Sequence, residues 1–193
     1  MEECELNTPN KLTLLRIILV PFFVAFLMIP AIPFHFLWAL VLFIAAAVTD
    51  SIDGKLARKY NLVTNFGKFL DPLADKVLVF SALICFIELG FIGSVMVVII
   101  MAREFLVTSL RLVAVNSGKV IAASIWGKLK TVSQMVSIVV ILTLQAFIEL
   151  FGILDPSIAL LIGEVLMWIA TALTLISGVE YLWSNWKYVN MND

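Results

Sequence analysis

The sequence predicts an all-α membrane protein: a single bundle of six transmembrane helices, with both chain ends in the cytoplasm. Three observations lead there. Of its 193 residues, 62% are hydrophobic and only 14% charged, with a mean hydropathy of +1.08. Soluble domains are nearer half apolar and a quarter charged, so the bilayer is the expected solvent. The apolar residues fall into six runs of membrane-crossing length, and every basic residue lies toward the same ends of those runs.

The six spans cover about 11–29, 35–58, 69–89, 92–113, 128–149 and 158–183. "IPAIP", "ELGFIG" and "LFGILDP" separate the first from the second, the third from the fourth and the fifth from the sixth. Their Gly and Pro are the usual punctuation of tight turns. No internal repeat or low-complexity stretch interrupts the pattern, so residues 1–193 read as one domain with a short cytoplasmic segment at about 1–10. That segment, "MEECELNTPN", is acidic and polar, unlike a cleavable secretory signal. Cys4 and Cys85 lie far apart in dissimilar settings and read as neither a disulfide nor a metal site.

The basic residues set the orientation. Lys11, Arg16, Lys55, Arg58, Lys59, Lys68, Lys76, Arg103, Arg111, Lys119, Lys128, Lys130 and Lys187 make up all 13 Lys and Arg. All fall toward the termini and the connections after the second and fourth spans, which the positive-inside rule assigns to the cytoplasm. His35, Glu88, Glu149 and Asp155 fall at the opposite turns, so His35 is not expected to be catalytic. Trp183, Trp186 and Tyr188 read as an interfacial aromatic belt.

Against this background "DSIDGKLARKYNLVTNFGKFLDPLAD" is unusual, for it brings four aspartates toward the membrane. Asp50 lies about 22 Å from the outer face by helical rise, and Asp53 about 5 Å deeper. Asp71 and Asp75 occupy the first turns of the returning span. Asp50, Asp53, Gly54 and Ala57 share one helix stripe, and Gly67, Asp71 and Asp75 share another. Consecutive antiparallel spans can turn these stripes toward each other. Two carboxylates about 6 Å apart repel by roughly 3 kcal/mol at an effective dielectric near 20. Divalent cations relieve that repulsion, and oxygen-only ligands suit Mg²⁺ or Mn²⁺ rather than zinc. A hard-metal site beside a groove suggests phosphate chemistry. In a plainer reading the aspartates cap helices and pair with Lys55, Arg58, Lys59 and Lys76, which leaves four costly intramembrane acids without a joint purpose.

Asp50, Asp53, Gly54, Ala57, Arg58, Gly67, Asp71 and Asp75 spell D-x2-D-G-x2-A-R-x8-G-x3-D-x3-D. This resembles the signature of the CDP-alcohol phosphotransferases at every fixed position. The resemblance implies a six-helix membrane enzyme, homodimeric, that moves a phosphatidyl group from a CDP-linked lipid to an alcohol and releases CMP. It implies that Asp50, Asp53, Asp71 and Asp75 hold two divalent cations, Mg²⁺ or Mn²⁺, and that Asp75 also serves as general base. Gly54, Ala57 and Gly67 would give the nucleotide room, with Arg58 helping to hold it.

A second region, "MAREFLVTSLRLVAVNSGKVIAASIWGKLKT", bears on the acceptor. Arg103, Val107 and Arg111 share one helix face, and the guanidinium fork matches phosphate oxygens. Arg103, Arg111 and Lys128 are therefore the expected ligands of a phosphate on the acceptor alcohol. An ion pair of Arg103 with Glu104 or a motif aspartate is the other reading, and Lys128 fits an interfacial lysine equally well. Lys119 and Lys130 read as lysines reaching for the interface. Asn10, Thr13 and Arg16 share a face of the first span; Asn10 and Thr13 suit either the nucleotide pocket or helix capping.

"REFLVTSLRLVA", "AASIWGKLKTVSQ" and "NTPNKLTLLRI" are similar to the phosphatidylglycerophosphate-forming branch of that family. The likeness spans most of residues 7–145 and fades toward the C-terminus. It implies CDP-diacylglycerol and sn-glycerol 3-phosphate as substrates. A sister enzyme with another acceptor, such as inositol phosphate, remains the nearest alternative. A divalent-cation transporter is more remote, since transport sites favour the midplane and repeat symmetry.

Overall fold

In the computed structural model the backbone is described for residues 8–59, 65–116 and 124–186, and the side chains there except at 8–12, 50–59, 65–72, 75 and 115–116. Among the described residues there are six helices and no strand: α1 (Thr8–Met28), α2 (His35–Lys59), α3 (Asn65–Glu88), α4 (Ser94–Asn116), α5 (Ile125–Phe151) and α6 (Pro156–Ser184). They match the six apolar runs to within four residues at every end. α5 and α6, with 27 and 29 residues, are long and apolar enough to cross a membrane. At 1.5 Å per residue they run about 40 Å or more, beyond the roughly 30 Å of a hydrocarbon core. α1 and α2 carry shorter apolar stretches, Thr13–Met28 and His35–Thr49.

The outer surface is as apolar as the core. Phe22, Val41, Val98, Leu112 and Val179 are exposed, and Ile125 and Trp183 are more than four-fifths exposed. Such breadth of exposed apolar surface marks a membrane protein. Inside, Phe23 of α1, Phe43 of α2, Leu83 and Phe86 of α3, Met96 and Ile100 of α4, Ile138 and Leu142 of α5 and Met167 of α6 form one buried cluster. α1 packs on α2 and α3, α5 on α6 and α2, and α4 on α6. At Gly163 the α5–α6 approach is so close that a Cβ would stand 2.9 Å from Ile141 Cγ1. Small residues at such crossings let membrane helices pack backbone to side chain. Hydroxyls within the helices bond back to carbonyls one turn earlier: Thr49 to Ala45, Thr143 to Val139, Thr171 to Met167 and Thr174 to Ala170.

The α1–α2, α3–α4 and α5–α6 turns meet at one end of the bundle. There Glu149 of α5 receives the first amides of α2, from His35 N to Oε1 at 3.0 Å and from Phe36 N to Oε2 at 3.2 Å. A carboxylate at a helix N-terminus satisfies amides that have no partner in their own helix and opposes the helix dipole. Phe36 also stacks near Phe91 of the α3–α4 turn, at 5.9 Å between ring centroids. Gly90 ends α3 with φ +72°, while Phe91 N bonds Phe86 O and Gly90 N bonds Ile87 O. That pairing needs a left-handed residue, which glycine adopts without strain. Asp155 caps α6, accepting from Ser157 N at 2.8 Å, with Pro156 in the first helical position.

Replacing Glu149 with Ala removes both acceptors from the start of α2. The expected cost is about 1–2 kcal/mol, read as a lower unfolding midpoint of the detergent-solubilised protein. Glu149→Gln retains one acceptor and should lose less.

Candidate functional site

The opposite end of the bundle is polar. A cavity of about 560 Å³ opens there, lined by Lys76 of α3, Arg103, Glu104, Val107, Thr108 and Arg111 of α4, Gly127, Lys128, Lys130, Thr131 and Val132 of α5 with Ser124 just before it, and Tyr181 of α6. Its volume lies within the range of small-molecule sites. Among the described residues that line it, five side chains are cationic, namely Lys76, Arg103, Arg111, Lys128 and Lys130, and one, Glu104, is a carboxylate. Arg111 and Lys128 are exposed at the rim, while Arg103 and Lys130 are nearly covered, with 10% and 6% of their side chains exposed.

Glu104 organises the covered part. Its Oε1 accepts from Arg103 Nη1 at 2.9 Å and from Lys130 Nζ, and its Oε2 lies 3.9 Å from Lys76 Nζ. Neighbours in a helix sequence point about 100° apart, so Arg103 reaches Glu104 only because its guanidinium lies across the helix surface. Its other end is fixed on α6, where Nη2 donates to Ser177 Oγ at 2.6 Å. Backbone spacing permits this position. A Cβ on Gly178 would come within 3.0 Å of Arg103 Cγ, and one on Gly127 within 3.8 Å of Nη2. Ser124, at the start of α5, donates to Glu180 of α6 at 2.8 Å and closes the same wall.

Two cations about 6 Å apart repel by roughly 3 kcal/mol at an effective dielectric near 20. One carboxylate offsets part of that, and the remaining positive charge suits an anion of more than one charge. The guanidinium and ammonium groups match phosphate oxygens in geometry and charge.

Arg103, Arg111 and Lys128 thus line one cavity, and the ion pair between Arg103 and Glu104 exists within it. Lys130 departs from its expected place. It is 5% exposed and paired to Glu104 instead of reaching for the interface. The reason is its helical register: Lys130, Gln134, Ser137, Ile138 and Ile141 form the buried stripe of α5. That spacing was the signal available in the sequence. Ser177, Gly178 and Tyr181 went unsuspected too, although Gly163, Met167, Ala170, Thr174, Ser177, Gly178 and Tyr181 recur at helical spacing as the buried stripe of α6. α4 and α5 both pack on α6, and the Glu104–Lys130 pair joins them across the cavity.

The aspartates are placed by backbone alone. Asp50 and Asp53 lie in the last ten residues of α2, followed there by Gly54, Ala57 and Arg58; Gly67, Asp71 and Asp75 lie in the first half of α3. The side chains of these eight residues, and of Asn10 in α1, lie outside the described residues. Asp75 directly precedes Lys76, which lines the cavity. Thr13 and Arg16 are buried on α1.

An all-helical membrane fold with a cationic cavity that reaches Lys76 on the aspartate-bearing α3 defines a class able to handle anionic lipid headgroups. The sequence pattern described as CDP-alcohol phosphatidyltransferase matches residues 6–176, and the chain belongs to that family of transferases. A relative from Bacillus subtilis (strain 168) is 42% identical across 97% of this chain and 99% of its own length. One from Rickettsia bellii is 38% identical across 94% of this chain and 97% of its own, and one from Haemophilus influenzae 38% across 91% of each. All three bear the name CDP-diacylglycerol–glycerol-3-phosphate 3-phosphatidyltransferase.

Proposed function

We propose that this chain transfers the phosphatidyl group of CDP-diacylglycerol to sn-glycerol 3-phosphate, giving phosphatidylglycerophosphate and CMP. The observation that carries the reading is the cationic cavity next to the α3 turn of Asp71 and Asp75, in a chain akin along nearly its whole length to relatives named for this reaction. The protein spans the membrane six times as a homodimer, with both termini and the cavity on the cytoplasmic side. The absence of Lys and Arg from residues 17–54, 77–102 and 131–186 supports that orientation.

Arg103, Arg111 and Lys128 hold the acceptor's phosphate. Asp75 takes the proton of the acceptor hydroxyl. The hydroxyl oxygen bonds to the phosphorus that carries diacylglycerol, and the bond from that phosphorus to CMP breaks. Gly54, Ala57 and Gly67 leave room for the cytidine nucleotide, with Asn10, Thr13 and Arg58 lining it. Asp50, Asp53, Asp71 and Asp75 form an oxygen-only donor set of four carboxylates, which fits two Mg²⁺ or Mn²⁺ ions. Bound there, such ions neutralise charge on the diphosphate and the departing nucleotide.

The test is CMP release by the detergent-solubilised protein given CDP-diacylglycerol and Mg²⁺, with glycerol 3-phosphate, inositol phosphate, serine or no acceptor. Release is expected only with glycerol 3-phosphate and should vanish with EDTA. Release with another acceptor would keep the transferase and overturn the acceptor; none from folded protein would favour ion transport. Asp75→Asn should lower turnover by about 10³-fold or more while CDP-diacylglycerol still binds, and normal turnover would remove Asp75 as base. Arg103→Ala should raise KM for glycerol 3-phosphate by about tenfold or more with little change for the CDP-lipid. Equal rises for both substrates would count against its phosphate role.

A further inference from the structure

A carboxylate in the wall of a phosphate-binding cavity is at first sight a contradiction, because it repels the ligand. Glu104 nonetheless joins charged side chains of α3, α4 and α5, through Lys76, Arg103 and Lys130. Arg103 has a second anchor, the Ser177 hydroxyl on α6. Glu104 is 14% exposed, so its contacts are held away from bulk water.

Resting on the assignment of this cavity to the acceptor's phosphate, we propose that Glu104 is a positioning residue for that site. It aims the Arg103 guanidinium into the cavity and holds the Lys130 ammonium beside it. Through Lys76, the residue after Asp75, it also ties the acceptor cavity to the helix turn that carries the proposed base. Glu104 acts through these cations and needs no contact with substrate.

A view based on charge alone predicts the reverse. It treats Glu104 as a repulsive neighbour whose loss should tighten phosphate binding. The burial of Lys130 argues otherwise. A buried ammonium left without an anion gives up its charge or swings toward water, so the cavity loses a cation along with the carboxylate. Net charge then gains little, and geometry is lost. A flexible, misaimed guanidinium also pays more side-chain entropy on binding than one already fixed at both ends.

The experiment uses Glu104→Gln in the full-length protein, with CMP release measured against both substrates and an unfolding midpoint alongside. The expected result is a KM for glycerol 3-phosphate raised by about tenfold or more, and a KM for CDP-diacylglycerol within about twofold. An unchanged or lowered KM for glycerol 3-phosphate overturns the proposal, as does an equal rise for both substrates. If Glu104→Gln does not fold, Glu104→Gln combined with Lys130→Met carries the test, since it strands no buried ammonium. That double variant should still show the selective rise, because Arg103 has lost its anchor; a KM at the wild-type value overturns the proposal. Wild-type protein inactive with glycerol 3-phosphate sinks the acceptor assignment and this inference together. Active wild-type protein with an unaffected variant sinks only the part given to Glu104.

Discussion

Hydrocarbon offers no hydrogen bonds, and the arrangement of this bundle follows from that constraint. A polar group placed between membrane helices must be answered by another group of the protein. Threonine hydroxyls turn back to their own helix, and the start of α2 takes a carboxylate from the far end of α5. At the cationic end the same demand gathers Lys76, Arg103 and Lys130 around Glu104. The same demand thus fixes a helix terminus in one place and a cluster of charged side chains in the other.

The two ends solve the problem differently because they face different tasks. At the end of the α1–α2, α3–α4 and α5–α6 turns, Glu149, Gly90 and Asp155 close helix termini and Phe36 packs on Phe91. Charge there is spent on backbone amides. At the other end the described residues around the cavity carry five cations to one carboxylate. Surplus of one sign in a partly covered space is costly until a ligand of the opposite sign arrives, and a phosphate is such a ligand. Nearly full-length similarity to relatives named for a phosphorylated acceptor fits that surplus.

Much of the fold was legible in the sequence because length and hydropathy alone delimit membrane helices. The six runs became six helices with little change at their ends. The shared face of Arg103, Val107 and Arg111 was legible for the same reason, since it depends only on helical spacing within one element. Contacts between elements were not. Glu149 and His35 are 114 residues apart, and nothing local in either marks the other as its partner. The sequence offered Glu104 only as an ion-pair partner of Arg103, because adjacency in the chain gives no hint that Lys76 and Lys130 come to the same carboxylate. The polar stripe of α6 was hidden by composition: single Thr, Ser and Gly residues hardly alter the character of an apolar span.

The two glycines beside Arg103 have a bearing on how such a site changes over time. Gly178 leaves the space in which the arginine stem lies, while a Cβ on Gly127 would meet its terminal nitrogen only at ordinary contact distance. A methyl group at position 178 would crowd the stem, so that the arginine would have to give by a few tenths of an ångström. The reach of the guanidinium into the cavity is therefore governed partly by an atom that is missing from α6. If the cavity holds a phosphorylated alcohol as proposed, single-carbon substitutions at such uncharged positions would act as a ruler, selecting longer or shorter acceptors while every charged residue is kept.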